Sequence, residues 1–149
     1  MSDISRPQRI SSVPSMSEKN RLSPLSPVLP QRAASATRWS RLHGASRALA
    51  IARAAAAHPG FCLVLCTDSL HAAQLDAEVP FFAPSLDKYH LPDWETLPYD
   101  RFSPYQDIIS ERLATLAALP DLKRGMLIMS VTSLLHRLPP HQWLQSQSF

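Results

Sequence analysis

The chain has 149 residues, 45% of them hydrophobic, enough for one packed domain and a tail. Its net charge of +3 arises wholly in the first 36 residues, where five Lys/Arg meet two acids, whereas residues 37–149 balance ten against ten. A neutral body lacks the electrostatic footprint with which proteins grip nucleic-acid phosphates, which disfavours independent DNA binding by the folded part. The apolar runs at 61–66 and 126–129 are also far too short to span a membrane.

Residues 1–36 contain nine serines and five prolines with no helical or strand period, so a disordered Ser/Pro-rich extension is expected there, with the folded part at 37–149. Its acid-poor, Arg-bearing character is also that of an organellar transit peptide, but Pro7, Pro14, Pro24, Pro27 and Pro30 would interrupt the amphipathic helix such a peptide needs. No unbroken apolar core of a secretory signal is present, and a soluble, cytoplasmic protein is expected. The alanine-rich stretch 45–57 predicts a helix ended by Pro59 and Gly60.

Phe61 to Cys66 follows as a continuous apolar run, which predicts a strand buried on both faces. Cys62 and Cys66 then share a face as free thiols, with no CxxC or paired histidine beside them to suggest a metal. Thr67, Asp68 and Ser69 are candidate caps for a helix through Leu70 and Leu75 to about Glu78. Tyr89 to Leu91 gives a weaker strand signal.

From Leu91 onward, the chain runs through a proline- and aromatic-rich loop into an amphipathic helix. Ser103 as cap, Pro104 at the first helical position and Gln106 three residues after the cap form a capping box. Ile109, Leu113 and Leu116 make the apolar stripe, flanked by Ile108 and Leu119, and Pro120 stops the run. Residues 126–130 predict a second buried strand, and 131–138 a short helix stopped by Pro139 and Pro140. Helices alternating with strands in this way indicate an α/β layer, a small parallel sheet of about three strands flanked by helices. So small a sheet leaves faces built for cover, and an exposed apolar patch with a tendency to associate is expected.

The chemistry-bearing motifs are few. A parallel sheet invites a phosphate loop before the first helix, but Gly44 stands alone there and no Gly-Lys-Ser/Thr follows. Arg47 could draw an anion to the helix start, although a solvated arginine is the commoner role. Asp93 and Glu95, around Trp94, imitate magnesium carboxylates without a phosphate loop to serve, and caps, loop hydrogen bonds or surface charge account for Asp93, Glu95 and Asp100. No GxSxG, HExxH or Cys-His signature occurs, and His43, His58, His71, His90, His136 and His141 are isolated along the sequence. No catalytic, cofactor-binding or metal-binding residue is therefore assigned. The candidate surface is the loop carrying Trp94, Glu95, Leu97, Tyr99, Asp100 and Phe102, whose aromatics either cover the sheet edge or offer an anchor to a partner.

The run Asp93-Trp94-Glu95-Thr96-Leu97-Pro98-Tyr99-Asp100, with Phe102-Ser103-Pro104, Asp107-Ile108-Ile109-Ser110, Arg112-Leu113 and Leu116, resembles the N-terminal module of bacterial transcription-repair coupling factors (Mfd). The resemblance continues through Arg124-Gly125 and residues 126–138, fits more loosely upstream, and covers roughly 40–144. It implies a partial P-loop-NTPase-like subdomain, similar to domain 1a of the excision-repair helicase UvrB, with a degenerate nucleotide loop. It also implies a non-catalytic scaffold in transcription-coupled nucleotide excision repair, with UvrA and RNA polymerase as partners of the full-length family. The ATP-driven motor domains of that family are absent from these 149 residues. A truncated gene product or a fragment of a longer frame is expected on this basis, with a free-standing interaction or regulatory protein as the alternative.

Overall fold

A computed structural model of the chain describes residues 23–30, 32, 34–94 and 105–147. Its elements are α1 (Ser46–Ala57), β1 (Phe61–Cys66), α2 (Ser69–Phe82), β2 (Lys88–Leu91), α3 (Gln106–Ala118), β3 (Gly125–Ser130), α4 (Val131–Leu135) and α5 (His141–Gln147), with one 3-10 turn (Leu119–Asp121) after α3. The three strands form a parallel sheet in the order β1-β3-β2. Helices cover both faces, as the alternating pattern predicts.

Among the described residues, the last strand in sequence is thus the middle strand in space, and β3 is the one strand whose residues are all buried. Side chains on a strand alternate between faces, so Met126 and Ile128 enter one core with Ala48, Ala52, Ala55, Ala72, Leu75 and Val79 of α1 and α2. Leu127 and Met129 enter the other, with Leu91, Leu116 and Leu144, under α3 and α5. Alanines along α1 let that helix approach closely. Burial of a side chain such as Ile128 is worth about 1.5–3 kcal/mol.

β1 departs from the expectation of burial on both faces. Cys62, Val64 and Cys66 do share a face and pack on the α1/α2 core, but Leu63 and Leu65 are 52% and 46% exposed. The reason is position: β1 is an outer strand, and the α3/α5 layer packs over β2 and β3. A continuous apolar run had the same appearance in a central and in an edge strand.

Three helix boundaries also differ. α2 runs on to Phe82, past the expected end near Glu78, with Pro80 inside it. Proline has no N–H for the Asp76 carbonyl four residues back, and Lys88 Nζ donates to that carbonyl instead, at 2.8 Å, while lying 2.6 Å from Asp76 Oδ1. α3 begins at Gln106 with Tyr105 as its N-cap and no side-chain cap hydrogen bond; Ser103 and Pro104 of the expected capping box lie outside the described residues. α4 ends at Leu135, because His136 is extended (φ −73°, ψ 149°), and the Pro140 carbonyl accepts from Trp143 and Leu144 N–H as α5 starts.

In the N-terminal segment, the described residues 23–30 include a tight turn between Ser23 and Ser26, and Trp39 Nε1 donates to the Val28 carbonyl at 3.0 Å. No described helix is long and apolar enough to cross a membrane.

Candidate functional site

In a parallel α/β sheet, ligands and partners meet the loops at the carboxyl ends of the strands. At that end of β2 and β3, which are neighbours, the structure assembles Asp93, Trp94, Arg112, Ser130, Thr132 and His136. Pairing of Leu91 with Met129 places Asp93, two residues past β2, beside Ser130 at the end of β3. The Ser130 hydroxyl donates to Asp93 Oδ2 at 3.0 Å, the Thr132 hydroxyl donates to the same oxygen, and Trp94 N–H donates to Oδ1 at 2.9 Å. His136 Nδ1 lies 3.7 Å from Oδ1.

Burial pushes the Asp93 carboxyl up, but the Thr132 and Ser130 hydroxyls, the Trp94 N–H and His136 outweigh it and hold the group below the usual carboxylate range. Ser130 is fully committed: its oxygen also accepts from Ser133 N–H at 3.0 Å and so caps α4. A serine that gives its proton to a carboxylate and its lone pair to a helix cap is a joint, not a nucleophile. Loop hydrogen bonding is the role expected of Asp93.

Arg112 forms the second half of the joint. It is only 2% exposed, its guanidinium donates to the Pro92 carbonyl, and it lies 4.4 Å from the centre of the Trp94 ring. Burial lowers its pKa while Asp93 draws it back up. Thr115, one turn on, donates to the His90 carbonyl at 3.0 Å. The strand end and the first residues of the loop are therefore fastened to α3 on one side and to β3 and α4 on the other, and Trp94 is held half-buried at the point where the loop leaves.

Of the candidate surface residues, Trp94 is the one described; Glu95, Leu97, Tyr99, Asp100 and Phe102 lie outside the described residues. Sequence reasoning missed Arg112, Ser130 and Thr132. For Arg112 a signal was present: Ile109, Arg112, Leu113 and Leu116 follow the i, i+3, i+4, i+7 spacing, so the arginine sits within the buried stripe. Nothing in the sequence announced the hydroxyls of Ser130 and Thr132, whose partner Asp93 lies 37 and 39 residues away.

A smaller cluster stands at the carboxyl end of β1. Asp68 caps α2 by accepting from His71 N–H at 2.8 Å, and His71 Nδ1 lies 2.6 Å from its other oxygen; these bonds, with that from Thr67, hold the exposed Asp68 carboxyl down at about 2. Asp68 thus serves as the cap proposed from sequence. Nearby, a cavity of about 160 Å³ is lined by Arg47, Ile51, Val64, Leu65, Cys66, Thr67, His71 and Leu75. Burial raises the pKa of both thiols, at Cys66 against the pull of Arg47 and with a push from Asp68. The turn before α1 is built by Gly44 at φ +54°, Ser46 spends its hydroxyl on the His43 carbonyl at 2.6 Å, and Arg47 is exposed. Among the described residues, no group of three His, Cys, Asp or Glu could hold a metal ion.

The fold and this joint define a class: a three-layer parallel α/β module whose strand-end residues fasten a loop. No protein-family model matches the chain. It is 41% identical over 121 residues to the transcription-repair-coupling factor of Escherichia coli, across 81% of this chain and 10% of that protein. The coupling factor of Haemophilus influenzae is 40% identical over 98 residues, 66% of this chain and 8% of the relative, and that of Rickettsia bellii 41% over 70 residues. The chain therefore carries a module of the transcription-repair coupling factor family, and spans about a tenth or less of the length of the curated relatives it matches.

Proposed function

We propose that the chain is a non-catalytic scaffold module in transcription-coupled nucleotide excision repair, a UvrB-like subdomain whose nucleotide loop has been lost. The observation that carries this reading is the combination of 41% identity to a coupling factor across most of the chain with a turn before α1 that offers one glycine and no lysine. A backbone cradle for phosphates needs successive glycines and a lysine to reach the outer charge. Here the hydroxyl at the helix start is spent on a backbone carbonyl. UvrA and RNA polymerase, the partners implied for the whole family, are the partners in whose company the module would work.

A segment exchange tests this. A full-length coupling factor carrying this chain in place of its matching segment, expressed in cells without their own factor, is expected to restore preferential repair of the transcribed strand. Normal levels of a soluble but inactive chimera would contradict the scaffold role.

One observation favours a second reading, an interaction protein that uses the same module. Trp94 is stacked on a buried arginine and anchored by its own N–H, a preorganised aromatic at the root of a loop. In a pull-down with the whole chain, that reading requires partners to be lost on Trp94→Ala and Tyr99→Ala. An unchanged partner set would count against it.

A further inference from the structure

β1 pairs with β3 on one side, and among the described residues no strand pairs with its other side. Natural edge strands are usually guarded by a charge, a proline, a bulge or a covering element. Phe61–Cys66 contains neither charge nor proline, and its six consecutive pairs with β3 leave no bulge. Leu63 and Leu65 are half exposed on one face of this edge, and on the other the cavity beside Val64 opens between Ile51 and Leu75.

We propose that this edge is a self-association surface: two copies of the chain join β1 to β1, antiparallel, about a two-fold axis through Val64, giving one continuous six-stranded sheet. A second copy fits because the segment is complementary to itself. A two-fold axis normal to the sheet keeps each side chain on its own face, so only residues of the same face can stand opposite one another. Centred on Val64, Leu63 of one copy stands opposite Leu65 of the other, and the four exposed leucines close over the seam. Centring on Leu63 would instead set Leu65 against Phe61, which already packs against the α3/α5 core. No charged residue lies between 61 and 66, so self-pairing brings no like charges together. A seam of two six-residue strands is small beside the roughly 1,200 Å² of the smallest stable interfaces, so the dimer is reversible and grows with concentration.

The register makes a distinctive mark. Cys62 of one copy stands opposite Cys66 of the other, and directly opposed antiparallel residues have Cα atoms about 4.5–5.5 Å apart, within disulfide reach. Within one chain the two are four residues apart on a strand, about 13 Å, too far to bridge. The test is sedimentation of the whole chain across a concentration series, with a parallel sample treated with diamide, which takes two electrons and two protons from a thiol pair as the S–S bond forms. A concentration-dependent dimer, and covalent dimers whose linked peptides join Cys62 to Cys66, are expected. Leu65→Lys should abolish both while leaving the circular dichroism unchanged, since Leu65 is exposed in the monomer. A monomer throughout the series, linkage dominated by Cys62–Cys62 or Cys66–Cys66, or a Leu65→Lys variant that still dimerises would each overturn the proposal.

Discussion

Arg112→Ala should cost the fold about 2–4 kcal/mol. The guanidinium is 2% exposed and serves the Pro92 carbonyl, so truncation leaves a buried acceptor without its partner, a loss of about 1–3 kcal/mol. Loss of the contact with the Trp94 ring, 4.4 Å away, adds about 0.5–1 kcal/mol, and the emptied space left by the arginine stem adds to it. Urea unfolding followed by circular dichroism measures the sum; with a slope of about 2 kcal/mol per molar, the midpoint falls by about 1–2 M. Arg112→Lys separates charge from shape: an ammonium keeps the charge but not the planar fork, so it should recover less than half of the loss. Fluorescence of Trp94, with Trp39 and Trp143 replaced by Phe, should shift to the red in both variants as the ring loses its cover. A midpoint within about 0.3 M of the parent for Arg112→Ala, or full recovery by lysine, would refute the reasoning.

Gly125→Ala should destabilise by about 2–4 kcal/mol in the same assay, because Gly125 has φ +120° and a Cβ there would lie 2.6 Å from the Asp87 carbonyl oxygen, where β3 begins its pairing. Lys88→Met should cost about 1–3 kcal/mol by orphaning the Asp76 carbonyl, and less in a Pro80→Ala background, where a restored N–H serves it; a double-mutant cycle with no coupling would contradict the assignment. Asp93 has its carboxyl depressed below 3.8 in the folded state, so its contribution is present above the unfolded value and fades as pH falls through the folded one. Stability should therefore drop below about pH 4, and Asp93→Asn should flatten that drop; an unchanged acid limb in the variant would remove Asp93 as the cause.

The layer order of the fold was legible wherever local chemistry and tertiary position agree. A β3 apolar from Met126 to Met129 and buried along its whole length is what a central parallel strand requires, and the alanines of α1 with the Pro59-Gly60 stop behave in space as they read in sequence. β1 carries the same apolar signature yet lies at the edge, because sequence records what a strand could bury and not what covers it. α2 outran its expected end because the defect made by Pro80 is repaired by a lysine from the next strand, which no local window contains. The expected helix in 131–138 stops early, at Leu135. For the site, Asp93 and Trp94 stood out as residues of a distinctive loop, whereas Ser130, Thr132 and Arg112 become functional neighbours only once β2 and β3 are placed side by side. The arginine alone left a trace, as a charge inside an apolar stripe.

The claim at the centre is that this coupling-factor module has no working nucleotide site at the turn before α1. Calorimetric titration of the whole chain with ATP and magnesium addresses it most directly. No saturable heat is expected, since Gly44 stands alone, Ser46 is engaged by His43 and no lysine follows. Saturable binding at micromolar nucleotide would contradict it.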